Sequence, residues 1–229
     1  RGYYGVSGFG SSDVNSTSNG FMLPVATVIT CGTGSFASNN EALSESFLRA
    51  GTSSNQKGSV VCIGTATLGT HTMFNNIVDM GFYYGALLKG LDTPGAALMY
   101  GKMMLYTNYP SNPNNYCHIF THWNNLMGES SLQMWTDYPE MTTVRHPYMV
   151  TTGSNFIDIT VDKDNGPVEG AWVTILMEDE IFESGYTDAQ GFVRLPVTSF
   201  ETGEVLVTVT KKNHYPYKQC DDQVNFLIF

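Results

Sequence analysis

Cys31 closes the run "PVATVIT" within the stretch "PVATVITCGTGSFA", residues 24–37, and a glycine-rich turn begins at once. A cysteine nucleophile needs a thiolate, an oxyanion hole and, as a rule, a histidine base. A buried strand that ends in such a turn and leads into a helix can supply two of these. It holds the side chain at the carboxyl edge of a sheet, where the ligand sites of α/β folds lie. It also leaves the backbone N–H groups of Gly32, Thr33 and Gly34 to face an anion. The same run equally fits a small apolar residue buried at a strand end, since cysteine is among the residue types most often found inside. The spacing alone leaves both readings open.

Other residues offer chemistry at other spacings. None of the five histidines precedes His71, which lies 40 positions after Cys31. As a polar loop residue it reads as a helix cap, with a substitute base as the functional alternative. His118 and His122 in "CHIFTHW" are four apart and could clamp a metal on a helix face. No third ligand accompanies them and aromatic residues surround them, so they read as packing histidines and no metal site is assigned. "DKDNG", residues 162–166, has calcium-like oxygen spacing but lacks the distal Glu of an EF-hand loop. It reads as a hairpin turn in which Asn165 and Gly166 supply positive φ. No cofactor is expected, a structural calcium at this turn being the one candidate. The four cysteines, Cys31, Cys62, Cys117 and Cys220, form no CxxC pair, which argues against structural zinc and thioredoxin chemistry. Cys31 and Cys62 sit in apolar runs suited to free thiols, and a Cys117–Cys220 bridge is the pairing left for an oxidising compartment.

The elements that must position these groups follow from periodicity. "FMLPVATVIT" reads as a strand whose continuous hydrophobicity predicts burial on both faces. "ALSESFLRAG", 42–51, predicts a helix with Ala42, Phe47, Leu48 and Ala50 on its apolar face, Arg49 in its last turn and Gly51 as its stop. "GSVVCIGTAT" predicts a second buried strand. Residues 72–88 and 93–109 predict helices, the latter with Pro94 in its first turn. A short helix over Cys117–Leu126 and an extended tail close this part. Strands alternating with helices imply an α/β layer structure with a parallel sheet. Near residue 150 the pattern changes to short strands separated by "DKDNGP", "DAQG" and "ETG". Strands at roughly ten-residue spacing without helices between them predict a β-sandwich, with Trp172, Tyr186 and Phe192 in its core. The expected domains are therefore 1–150 and 151–229, joined at "VRHPYMVTTGSN".

The 229 residues suffice for a sizeable core, being 42% hydrophobic, but only 14% are charged and the net charge is −10. A phosphate-tracking surface needs clustered Lys and Arg, so nucleic acid is excluded as a partner. No apolar run is long enough for a membrane span. The polar surface must come from Asn, Ser, Thr, Gly and Tyr, a composition common in extracellular bacterial proteins. The chain begins without Met or a signal peptide and ends in "VNFLIF"; both ends read as cut from something longer. Tyr3, Tyr4, Phe9, Tyr83, Tyr84, Tyr106, Tyr109 and Tyr116 form an aromatic surplus that could serve assembly, although burial is expected for those in helices.

Taken in order, "PVATVITCGTGSFA", "EALSESFLRAG", "GSVVCIGTAT" and "NNLMGESSLQMWT" resemble segments of the gingipain-like cysteine peptidases, peptidase family C25. In that family an apolar strand ends in the nucleophilic cysteine, a helix and an apolar strand follow, and "N-x-L-G-D-P-S-L-x-x-W" closes the domain. The resemblance covers nearly the whole chain. It implies a caspase-like α/β domain, present here in part, followed by an immunoglobulin-like β-sandwich. It makes Cys31 the nucleophile, with the Gly32 N–H as oxyanion donor. It makes the loop after the second strand, with Thr65, Thr67 and His71, the wall of a substrate pocket. The family's histidine lies in a "hydrophobic-x-G-H-G" segment. Its glycine best matches Gly2 here, so the histidine position falls at Arg1, a departure from the pattern, or just before it. A thiolate could still form beside Arg1, but proton delivery to the leaving amine would be impaired. The resemblance thus implies an extracellular or cell-surface endopeptidase acting on protein or peptide, active or degenerate. The alternative is an adhesive or self-associating protein on a dead peptidase fold.

Overall fold

Val25–Val28 forms β1 and Val61–Thr65 forms β2, paired in parallel with Val25 opposite Val61 and Val28 opposite Gly64. The computed structural model describes residues 8–164 and 166–218, and the backbone pairing of 226–228. Arg1, Gly2, Tyr3, Tyr4, Asn165 and Cys220 lie outside the described residues. The chain divides into two units, Arg1–Met134 and Trp135–Phe229. The sequence reading puts the boundary at 150. Residues 135–150 instead belong to the second unit because they contribute strands to its sheets.

In the first unit β2 is the central strand and every residue of it is buried, whereas β1 is an edge strand and only half-buried. Continuous hydrophobicity therefore marks double-sided burial in β2 but not in β1, which has a neighbour on one side only among the described residues. The third strand, β3 (Asn124–Gly128), pairs with β2 in the antiparallel sense, so the sheet is mixed rather than parallel. The reason is local. Asn124 receives the Thr65 hydroxyl at the carboxyl end of β2 and donates its amide to the Phe120 carbonyl. Pinned there, the strand can only run back along β2.

Helix α1 (Ser11–Ser16) is followed by α2 (Leu43–Arg49), α3 (Thr72–Tyr83), α4 (Pro94–Asn108) and α5 (Tyr116–Trp123). Helix α2 ends at Arg49, with Ala50 already extended as its cap; Gly51, expected as the stop, follows at φ +84° and pairs with Gln56. The buried face of the helix is Ala42, Ser44 and Ser46; Phe47 and Leu48 are only half-buried. Small residues face inward because the helix lies close over β2. Helix α3 runs on through a π-helical turn, Tyr84–Leu88. The α3–α4 crossing is close at Gly81 and Gly101, where a Cβ on Gly81 would stand 2.7 Å from Gly101 Cα. Val61, Ile63, Phe74, Val78, Phe82, Leu98, Leu105 and Phe120 fill the core beneath these helices. Among the described residues no helix is long and apolar enough to cross a membrane.

The second unit is built of β4 (Thr143–Arg145), β5 (Met149–Val150), β6 (Gly153–Lys163), β7 (Gly166–Pro167), β8 (Trp172–Met177), β9 (Ile181–Tyr186), β10 (Phe192–Ser199), β11 (Gly203–Thr210), β12 (Tyr217–Lys218) and β13 (Phe226–Ile228). One sheet has the order β10–β6–β4 and the other β9–β8–β11–β13–β5. Alternate residues of both sheets (Ile157, Ile159 and Val161; Leu195 and Val197; Val173 and Ile175; Val205, Val207 and Val209) form one core. Strand parity puts Trp172 and Tyr186 on the outer face, 39% and 67% exposed, with ring centroids 4.5 Å apart and planes tilted by 57° across the β8–β9 pair. They are not core residues. With Val173 and Ile175 inward, their neighbours must point out.

Candidate active site

The turn 31–34 is fastened to the end of β2 by backbone hydrogen bonds. Gly32 N–H donates to the Thr67 carbonyl at 2.6 Å and Gly34 N–H to the Thr65 carbonyl at 2.9 Å. The Ser35 hydroxyl adds a bond to the Ala66 carbonyl at 2.9 Å. Contact is close enough to require glycine on both sides. A Cβ on Gly34 would lie 2.7 Å from the Gly64 carbonyl carbon, and one on Gly64 would lie 2.9 Å from Gly34 Cα. Gly32 takes φ of +73° to make the turn. Thr33, 4% exposed, donates its hydroxyl to the Val28 and Thr30 carbonyls and accepts the Thr65 N–H.

Cys31 starts this turn, three residues beyond the end of β1, and is half-buried at the rim of an open cleft of about 390 Å³. Ser35, Ser38, Asn40, Glu41 and Leu68 contribute to the cleft wall. Sγ of Cys31 lies 2.9 Å from Thr70 Oγ1 and 3.8 Å from the Thr70 carbonyl oxygen. Thr70 Oγ1 in turn accepts the Asn75 side-chain amide at 3.0 Å. Asn75, on the first turn of α3, is 4% exposed, and its Oδ1 is buried without a hydrogen-bond partner among the described residues.

The site residues expected from sequence fare differently. Thr65 is 0% exposed and spends its hydroxyl on Asn124, so it braces the sheet and cannot line a pocket. Thr67 acts through its carbonyl, which holds Gly32. The amides of Gly32, Thr33 and Gly34 all donate within the protein, to Thr67, Thr30 and Thr65. None of the three is the open oxyanion donor the glycine turn suggested, because the turn folds back onto β2 instead of facing the cleft. His71 is the N-cap of α3, its Nδ1 accepting the Met73 N–H at 3.2 Å. Arg1 lies outside the described residues. Thr70 and Asn75 escaped the sequence reading; the only signal for them was their place just before and just inside a helix start at His71.

The other cysteines occupy different surroundings. Cys62, inside β2, is fully buried, and burial pushes its thiol up to about 12. Cys117 is a buried free thiol that donates to the Leu105 and Tyr109 carbonyls, so it is not half of a disulfide. His118 and His122 pack edge to face at 4.6 Å on α5. Asp162, in the turn once weighed for calcium, is paired with Arg145. Among the described residues no group of three or more His, Cys, Asp or Glu is placed to hold a metal.

The fold is similar to that of solved proteinases. The arginine-specific cysteine proteinase gingipain R matches with a TM-score of 0.75 at 17% identity, over 98% of this chain and 49% of that one. The complex of RgpB pro- and mature domains from Porphyromonas gingivalis matches equally, over 98% of this chain and 50% of that one. A third structure, described as a protease, matches with a TM-score of 0.66 at 17% identity over 94% and 49%. The chain thus spans about half the length of the structures it matches. No curated protein matches it. The model of peptidase family C25 matches residues 2–135, more than half of the chain and all of the cleft described above. The chain belongs to peptidase family C25.

Proposed function

We propose that the first unit is the cysteine-bearing part of a caspase-like peptidase domain and that Cys31 is its nucleophile. The observation that carries this is the position of the Cys31 sulfur: at the mouth of a cleft, on a turn clamped to the carboxyl end of β2. Attack of the thiolate on a peptide carbonyl forms a C–S bond and moves the carbonyl π electrons onto oxygen. Collapse of that intermediate expels the amine, which must gain a proton, and leaves a thioester that water then cleaves. No oxyanion role is assigned to the Gly32 amide, which Thr67 already holds. The family's base is expected at Arg1 or before it, so proton supply to the amine is the step most exposed to impairment. The second unit, with its two sheets around one core, is read as an immunoglobulin-like appendage without a catalytic part. Family membership supports protein or peptide substrates, and the low-charge composition supports an extracellular or cell-surface location.

A second reading, adhesion or self-association on a degenerate peptidase fold, is favoured by one observation. Met80, Tyr84, Leu87 and Leu88 along α3 and its continuation, and Met99 and Met103 on α4, are exposed. Such a concentration of apolar side chains on helices suits an interface. Labelling the intact chain with a peptidyl electrophile separates the two readings. Selective modification of Cys31 over Cys62, with peptide hydrolysis lost in Cys31→Ala, is the expected result. Equal or absent labelling of the two cysteines sinks the peptidase reading.

A further inference from the structure

The three side chains Cys31, Thr70 and Asn75 form a hydrogen-bonded series. A hydroxyl has one proton and two acceptor positions. The Asn75 amide donates to Thr70 Oγ1 at 3.0 Å and so occupies one acceptor position. The Thr70 proton and one acceptor position remain for Cys31 Sγ, 2.9 Å away, so a thiolate can take that proton while a protonated thiol can donate to Oγ1 or to the Thr70 carbonyl at 3.8 Å. A sulfur that receives a proton donor at that distance is best served as a thiolate, because hydrogen bonding to the charged form favours that form. Asn75 is held for this task at a cost. It is nearly wholly buried, and its Oδ1 has no partner among the described residues, an arrangement that packing alone would not call for.

We propose that Thr70 holds the Cys31 thiolate by donating its hydroxyl proton to Sγ, and that Asn75 is a positioning residue that sets the direction of that bond. The proton lost by the sulfur on ionisation passes to solvent, and Thr70 keeps its own. The inference rests on Cys31 being the nucleophile. It provides a source of thiolate stabilisation that does not depend on a histidine, in a sequence with no histidine before His71.

The test is the pH dependence of Cys31 alkylation by iodoacetamide in the intact chain, with modified sites assigned by peptide mass spectrometry. Thr70→Val is expected to raise the midpoint by about one pH unit, a tenfold slower reaction near neutrality. Thr70→Ser, which keeps the hydroxyl, returns the midpoint to that of the parent chain. Asn75→Asp nearly preserves shape but turns the donor into an acceptor. It draws the Thr70 proton away from sulfur, so the midpoint rises here too, and by more than Asn75→Asp gives in a Thr70→Val background, where only the repulsion of the new carboxylate acts. If Thr70→Val does not fold, Thr70→Ala and Asn75→Asp carry the measurement. Unchanged midpoints in the folded variants overturn the proposal. Peptide hydrolysis that survives in Cys31→Ala overturns the peptidase reading instead, while the alkylation midpoints still report on Thr70. A Cys31 that resists alkylation at every pH in the folded chain overturns both.

Discussion

Cys31 and Cys62 differ in how their sulfurs meet water, and that difference sets their chemistry. Cys62 is enclosed by β2 and its neighbours, and burial keeps it protonated up to about pH 12, against 9.0 for an unperturbed thiol. A thiol that ionises less readily folded than unfolded contributes stability that is complete below the unfolded value. That contribution fades as pH climbs from 9.0 toward 12. The intact chain is therefore expected to lose unfolding free energy above pH 9 more steeply than Cys62→Ala, as urea titrations at a series of pH values would register. At pH 8 a thiol reagent should leave Cys62 unmodified until denaturant is added. The chemistry at Cys31 was half legible from residue types: the strand, the cysteine and the turn are visible as letters. Thr70 and Asn75 were not, because a threonine and an asparagine near a helix start have ordinary capping duties. Only the fold brings them to the sulfur.

At the level of elements, the contact between the 31–34 turn and β2 leaves no room for a side chain at Gly34 or Gly64. Alanine at Gly34 or at Gly64 places a methyl group inside van der Waals distance of backbone, which cannot step aside as a flexible side chain can. Either substitution is expected to cost about 1–3 kcal/mol, the usual range for overpacking a tight interior. Denaturant unfolding measures that cost, and the rate of Cys31 alkylation should fall with it as the turn lifts off the strand. Element types were largely readable: helices at α2, α3 and α4, the Pro94 start, and the β8 and β11 alternation are plain in the letters, although α2 buries Ala42, Ser44 and Ser46 rather than Phe47 and Leu48. The antiparallel β3 was not readable. Its direction is set by side-chain bonds from Asn124 to Thr65 and Phe120, across 59 and 4 positions. A run such as "NNLMG" carries no mark of its orientation. Trp172 and Tyr186 were misplaced because large aromatics suggest interior, whereas strand parity with Val173 and Ile175 decides the face.

For the molecule as a whole, the boundary between units has a consequence for fragments. Residues 135–150 hold β4 and β5, and Glu140 exchanges backbone hydrogen bonds with Asn213 and Tyr215. A fragment covering 135–229 is expected to unfold cooperatively at a higher denaturant midpoint than one covering 151–229. The shorter fragment uncovers β6 and strands the partners of Glu140. Equal midpoints would return the boundary to residue 150. The change to closely spaced strands pointed to two units but not to this seam, since "DYPEMTTVRHPYMV" has the proline and polar content of a linker while serving as sheet.

The sulfur's perch hangs from main-chain atoms: Gly32 to Thr67 and Gly34 to Thr65. Main chain is the same whatever side chain it bears. Residues lining the cleft, such as Ser38, Asn40 and Leu68, can therefore be exchanged without disturbing where the thiol sits. On the peptidase reading, new preferences for a bound peptide can be tried on this scaffold one side chain at a time, with the thiol left in place.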